Sequence, residues 1–129
     1  MNTMAKILVA EDDFLNQTLI RADLISKGYE ITIVGNGKLA VEACLSNDYD
    51  LVLMDIAMPE LDGIGAAKHI RENAKNREAA RNASTPIVAL STFSEQDFGE
   101  KTRNAGMNGY IRKPYMREEL FSYISRMVG

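Results

Sequence analysis

Four small groups of residues able to do chemistry are scattered along the chain: Glu11-Asp12-Asp13, Asp55, Ser91-Thr92 and Lys113-Pro114. Each stands at the end of a short run that reads as a strand. A sheet that aligned those ends would gather several carboxylates beside one lysine and one hydroxyl. Like charges packed that closely repel and raise one another's pKa, so the set calls for a cation. The candidate ligands are all oxygens, without a His/Cys set, which points to Mg²⁺ or Mn²⁺ rather than zinc. Mg²⁺ keeps several waters and takes its remaining ligands from a phosphate. A carboxylate nucleophile, a divalent ion, a lysine and a hydroxyl are together the parts for moving a phosphoryl group onto an aspartate.

Whether these groups meet depends on the elements between them. Residues 6–10 read as a buried strand and 14–26 as a helix, in which Leu15, Leu19, Ala22 and Ile25 recur at the three-to-four spacing of one helical face. Gly28 stops that helix in the left-handed conformation that favours glycine. The β-branched stretch 29–34 predicts a second strand, and Gly35-Asn36-Gly37 turns the chain into a helix over 38–45. Residues 51–54 are continuously apolar, the pattern of a strand covered on both faces. Pro59 to Gly63 reads as a loop, followed by a helix from Ile64 into the seventies. The polar stretch 73–85 reads as a helix end plus a long surface connection. A fourth strand over 87–90, a helix over 95–105, a fifth strand over 110–112 and a helix over 116–127 complete the pattern. Leu120, Ile124 and Met127 share one face of that last helix.

Strands that alternate with helices imply a parallel sheet with right-handed crossovers. The expected fold is α/β, a doubly wound flavodoxin-like sheet of order 2-1-3-4-5 with five helices, formed as one domain over 1–129. Ligands of such sheets bind at the carboxyl ends of the strands, near the point where strand order reverses. All four reactive groups fall at those ends.

Composition narrows the classes. The 129 residues are 46% hydrophobic and 26% charged, a globular balance. A net charge of -3, with no basic stripe, argues against nucleic-acid binding. The single cysteine, Cys44, cannot form an internal disulfide. No apolar run reaches the ~20 residues of a membrane span. Met1 to Lys6 lacks the apolar region of a signal peptide, so a cytoplasmic protein without membrane insertion is expected.

Four stretches carry a family resemblance: Ile7-Leu-Val-Ala-Glu-Asp-Asp13, Leu51-Val-Leu-Met-Asp-Ile-Ala-Met-Pro-Glu-Leu-Asp-Gly63, Pro86-Ile-Val-Ala-Leu-Ser-Thr92 and Gly109-Tyr-Ile-Arg-Lys-Pro114. In order and spacing they resemble the landmarks of response-regulator receiver domains over nearly the whole chain. The resemblance implies that Asp55 accepts the phosphoryl group and ligates Mg²⁺ (or Mn²⁺). It implies Asp12 as a direct ligand, Glu11 mostly through water, and the backbone carbonyl of Ala57 as another. Lys113 and Ser91 would contact phosphoryl oxygens, and Tyr110 would change rotamer as Ser91 moves. Pro114 matches a proline often preceded by a cis bond. The implied partners are a histidine kinase or histidine phosphotransfer protein and a downstream protein target, with the chain a monomer or weak dimer. Ser91 stands where threonine is more usual, Ala57 is small, and Phe93 is bulky.

Plainer roles cover the neighbours. Asp13 reads as a helix N-cap and Ser94 as the cap of the fourth helix. His69, the sole histidine, reads as a solvated helix position. Cys44 and the methionines read as core filling. Two other functions fit the residues less well. A Mg²⁺-dependent phosphohydrolase of the haloacid-dehalogenase type needs an acid/base aspartate at the position of Ala57, and there is no cap domain. A phosphorylation-independent interaction module would not need the complete acid, hydroxyl and lysine set. The expectation is a signalling domain that catalyses only its own phosphorylation and dephosphorylation, not a turnover enzyme.

Overall fold

The computed structural model of the chain describes residues 4–58, 60–75 and 84–128. Five parallel strands, β1 (Lys6–Ala10), β2 (Glu30–Val34), β3 (Leu51–Asp55), β4 (Ile87–Ser91) and β5 (Gly109–Arg112), form one sheet in the order β2-β1-β3-β4-β5. Five helices alternate with them: α1 (Phe14–Ser26), α2 (Gly37–Ser46), α3 (Gly63–Lys75), α4 (Glu95–Asn104) and α5 (Arg117–Val128). This is the expected doubly wound sheet. Pro59 and residues 76–83, parts of the predicted loop and surface connection, lie outside the described residues.

The central strands are buried throughout, and their side chains alternate between two apolar cores. Leu51, Leu53, Val88 and Leu90 join Ile20 and Leu24 of α1 and Leu120 and Ile124 of α5 on one face. Val52, Met54, Ile87 and Ala89 join Ala40 and Cys44 of α2 and Ala66, Ala67 and Ile70 of α3 on the other. Burial pushes the Cys44 thiol up to about 11 against the opposing charge of Arg71, so it stays protonated in the core. Gly28 takes φ 84°, the left-handed turn expected after α1.

Two expectations need correcting. The apolar face of α1 picked out by spacing is not the packed one: Leu15, Leu19 and Ile25 are 63%, 56% and 55% exposed. The helix carries two apolar stripes, and polar tethers choose between them. Asp13 caps it by accepting from the Asn16 amide at 2.9 Å, and the Gln17 side chain donates to the Glu11 carbonyl at 2.6 Å. These contacts turn the 17–20–24 side toward the sheet, leaving Leu15 and Ala22 roughly opposite at 3.6 residues per turn. Nor are all methionines core filling: Met54 and Met107 are buried, but Met4 and Met116 are exposed. Met116 comes just before α5, where no sheet covers it.

Leu24→Ala is therefore expected to cost about 2–5 kcal/mol of unfolding free energy, and Leu19→Ala within about 0.5 kcal/mol of none. Urea denaturation of both variants measures the contrast; equal losses would mean that α1 packs with the other face.

Candidate functional site

Sheet register brings the four reactive groups to one edge. Ala10 pairs with Met54, so Glu11 follows at the level of Asp55, across the reversal point between β1 and β3. Asp55 pairs with Leu90, and Ser91 with Arg112, which places Lys113 just beyond. The Lys113 amide continues this edge by donating to the Ser91 carbonyl at 2.7 Å. The Lys113–Pro114 peptide bond is cis.

The lysine side chain joins the two buried acids. Its Nζ donates to Asp55 Oδ2 at 2.7 Å and to Glu11 Oε1 at 2.9 Å. Each carboxylate has its other oxygen on the backbone: Asp55 Oδ1 accepts from the Ala57 amide at 3.1 Å, and Glu11 Oε2 from the Asp13 amide at 3.0 Å. Both carboxylate planes are thus fixed at two points. Burial disfavours the Lys113 ammonium, but the hydrogen bonds and charges of Asp55 and Glu11 outweigh it and raise its pKa above the ordinary lysine value.

Asp12, exposed at the mouth, completes the acidic group. Glu11, Asp12 and Asp55 each offer a carboxylate oxygen, all within 4.8 Å of one another. An all-oxygen set of this size fits a hard divalent cation such as Mg²⁺ and lacks the nitrogen or sulfur donors of a zinc site. A cleft of about 510 Å³ opens beside it, lined among others by Glu11 and Lys113 and by Leu19, Ile20 and Tyr115.

Ser91 is buried at the end of β4, where its Oγ accepts from the Phe93 amide at 2.9 Å. Tyr110 is buried too, and its hydroxyl donates to the Phe93 carbonyl at 2.7 Å. Phe93 stacks on Phe98 of α4 with ring centroids 4.4 Å apart. Phe93 therefore sits between Ser91, Tyr110 and α4. Sequence reasoning missed Gln17 and Tyr123, whose hydroxyl accepts the Tyr110 amide at 3.0 Å. Gln17 stands one turn beyond the Asp13 cap, and that position was the available signal. Asp13 and Ser94 serve as caps and His69 is exposed, as expected.

Residues 7–125 match the response regulator receiver domain family. The chain belongs to that family. Among solved structures it is similar to the receiver domain of a sensor histidine kinase from Pseudomonas aeruginosa PAO1, which holds a magnesium ion in its active site cleft. The two are 38% identical with a TM-score of 0.86, covering 98% of this chain and 99% of that one. It is 37% identical to the transcriptional regulatory protein PdtaR of Mycobacterium tuberculosis over 96% of this chain and 57% of that protein. It is 35% identical to hybrid signal transduction histidine kinase I of Dictyostelium discoideum over 95% of this chain and 7% of that protein. The chain thus spans only part of these two relatives. As a receiver domain it is a two-component signalling module. Among the described residues, no helix is long and apolar enough to cross a membrane.

Removing the lysine tests the electrostatics directly. In chelator, Lys113→Ala is expected to lower the unfolding free energy by about 2–3 kcal/mol, at the lower side for a broken buried pair because Lys113 is partly exposed. Adding Asp55→Asn should restore part of the loss. Because the folded pKa of Lys113 is raised, this stabilisation is full below the unfolded lysine value of 10.5 and is lost only as pH rises through the elevated one. Urea titrations read both effects, and an unchanged stability in Lys113→Ala would contradict the arrangement.

Proposed function

We propose that this receiver domain takes a phosphoryl group from a partner's phosphohistidine onto Asp55 in a Mg²⁺-dependent reaction, and that the new charge redirects its protein contacts. The observation that carries the reading is the position of Asp55: buried, bonded to Lys113, and within 4.8 Å of the Glu11 and Asp12 oxygens. A bound Mg²⁺ supplies charge neutralisation for the transferring group. Asp12 and Asp55 would hold it directly, Glu11 through water and Ala57 through its carbonyl.

The chain's own residues account for the remaining chemistry. An Asp55 carboxylate oxygen forms the new bond to phosphorus while the phosphorus–nitrogen bond breaks, its electron pair returning to the imidazole. Lys113, already against Asp55, transfers its hydrogen bonds to a phosphoryl oxygen, which offsets the charge that develops there. Ser91 supplies the O–H for another phosphoryl oxygen. As Ser91 moves, it pulls on the Phe93 amide, and the Phe93 carbonyl is the acceptor for Tyr110. Tyr110 and α4 therefore feel the phosphoryl group through Phe93, which supports the switch role of Ser91 and Tyr110. Such a switch needs its two states to differ by only a few kcal/mol. Ala57 offers no acid/base carboxylate for turning over external esters.

The donor is read as a histidine kinase or histidine phosphotransfer protein, with a downstream protein as listener in a cytoplasmic setting. The exposed apolar side of α1, Leu15, Leu19 and Ile25, supports a protein donor, because Leu19 also lines the cleft that contains Glu11 and Lys113. Whatever presents phosphohistidine to Asp55 must cover that rim.

Incubation with acetyl phosphate or phosphoramidate and Mg²⁺ should add one phosphoryl group by intact mass. Chelator or Asp55→Ala should abolish the gain. No gain in the wild type, or a gain that survives Asp55→Ala, would overturn the proposal.

A further inference from the structure

The loop between β3 and α3 carries the Ala57 carbonyl and the amide that orients Asp55, so its placement governs the acidic pocket. At its far end the Gly63 amide donates to the Ile56 carbonyl at 2.9 Å. A Cβ at Gly63 would overlap the Asp55 carbonyl, so the start of α3 lies flat against the end of β3. A second contact comes from an element with no residue in the pocket. Gly37 is buried at the first position of α2, directly after the Asn36 cap, whose side chain accepts from the Leu39 amide at 2.8 Å. A Cβ there would overlap the Leu61 carbonyl and stand 2.8 Å from the Leu61 carbonyl carbon and 3.1 Å from the Asp62 oxygen. These neighbours are backbone atoms and cannot rotate aside.

Local preference gives no reason for glycine at this position. At the first position of α2 alanine is no worse a helix former than glycine, and Gly37 is not among the glycines with positive φ. The demand for a missing side chain therefore comes from elsewhere in the fold. Here that demand is the close approach of the Leu61–Asp62 backbone.

We infer that Gly37 is a positioning residue for the metal-binding loop: by carrying no side chain, it lets the first turn of α2 seat the Leu61–Asp62 backbone, and so fixes Ala57 relative to Asp55. The inference rests on the reading of the acidic pocket as a Mg²⁺ site. Adding a methyl group should push the Leu61–Asp62 backbone outward, and the displacement reaches Ile56 and Asp55 through Gly63, which is bonded to the Ile56 carbonyl and packed on the Asp55 carbonyl.

The test compares Gly37→Ala with Cys44→Ala, which removes packing further along the same helix without adding a Cβ near the loop. Metal-free ¹⁵N–¹H spectra of Gly37→Ala should show displaced amides across the described residues between Ile56 and Gly63. Its Mg²⁺ affinity, titrated by the same amides, should fall about tenfold, the usual scale for losing an outer support of a metal site. Cys44→Ala should lose stability and keep the wild-type Mg²⁺ affinity. Wild-type protein that binds no Mg²⁺ would remove the pocket reading itself. Wild-type protein that binds it while Gly37→Ala binds equally well, with unmoved loop amides, would overturn the role of Gly37 alone. If Gly37→Ala does not fold, Mg²⁺ titration of the wild type decides: the Gly37 amide should shift together with that of Ala57, and a silent Gly37 would overturn the inference.

Discussion

Two buried carboxylates, Glu11 and Asp55, face each other across the point where the sheet reverses its strand order, and Lys113 bridges them at 2.9 and 2.7 Å. The rest of the molecule is organised around keeping that unfavourable meeting of like charges in place. Desolvation makes unpaired charge costly there, and each carboxylate oxygen of the two acids accepts a hydrogen bond from Lys113 or from a backbone amide. Asp12 is left at the mouth, in water. In the proposed reaction the Lys113 bonds to Glu11 and Asp55 are the ones that pass to the incoming phosphoryl group.

The fold supplies the placement with little freedom left over. Parallel strands force Glu11, Asp55, Ser91 and Lys113 onto one edge, because each directly follows or ends a strand. Helices α1 and α5 on one face and α2 and α3 on the other bury β3 and β4, which fixes the edge in dense packing. The contacts of the proposed switch lie on the β4–α4 side. There Phe93 links Ser91, Tyr110 and the stacked Phe98 through contacts that are few and partly exposed.

Much of this was legible in the sequence. Continuous apolar runs marked β3 and β4, β-branched residues marked β2, and reactive groups at the run ends marked where the acidic cluster forms. The rest failed for identifiable reasons. In α1, periodicity picked the Leu15–Leu19–Ala22–Ile25 face, whereas Ile20 and Leu24 face the sheet, on the side where Gln17 donates to the Glu11 carbonyl six residues away. Met116 resembled core residues by type alone. The demand on Gly37 arises from the Leu61 carbonyl, which local sequence does not place nearby, and Tyr123 reaches the Tyr110 amide only through tertiary packing.

The central claim is that Glu11, Asp12 and Asp55 form one divalent-cation site at which Lys113 supplies the counter-charge when no metal is bound. Calorimetric titration of Mg²⁺ into wild type, Asp12→Asn and Asp55→Asn tests it most directly. The account predicts saturable binding of one Mg²⁺ to the wild type, greatly weakened in each variant. Absence of saturable binding to the wild type, or equal binding by the variants, would contradict it.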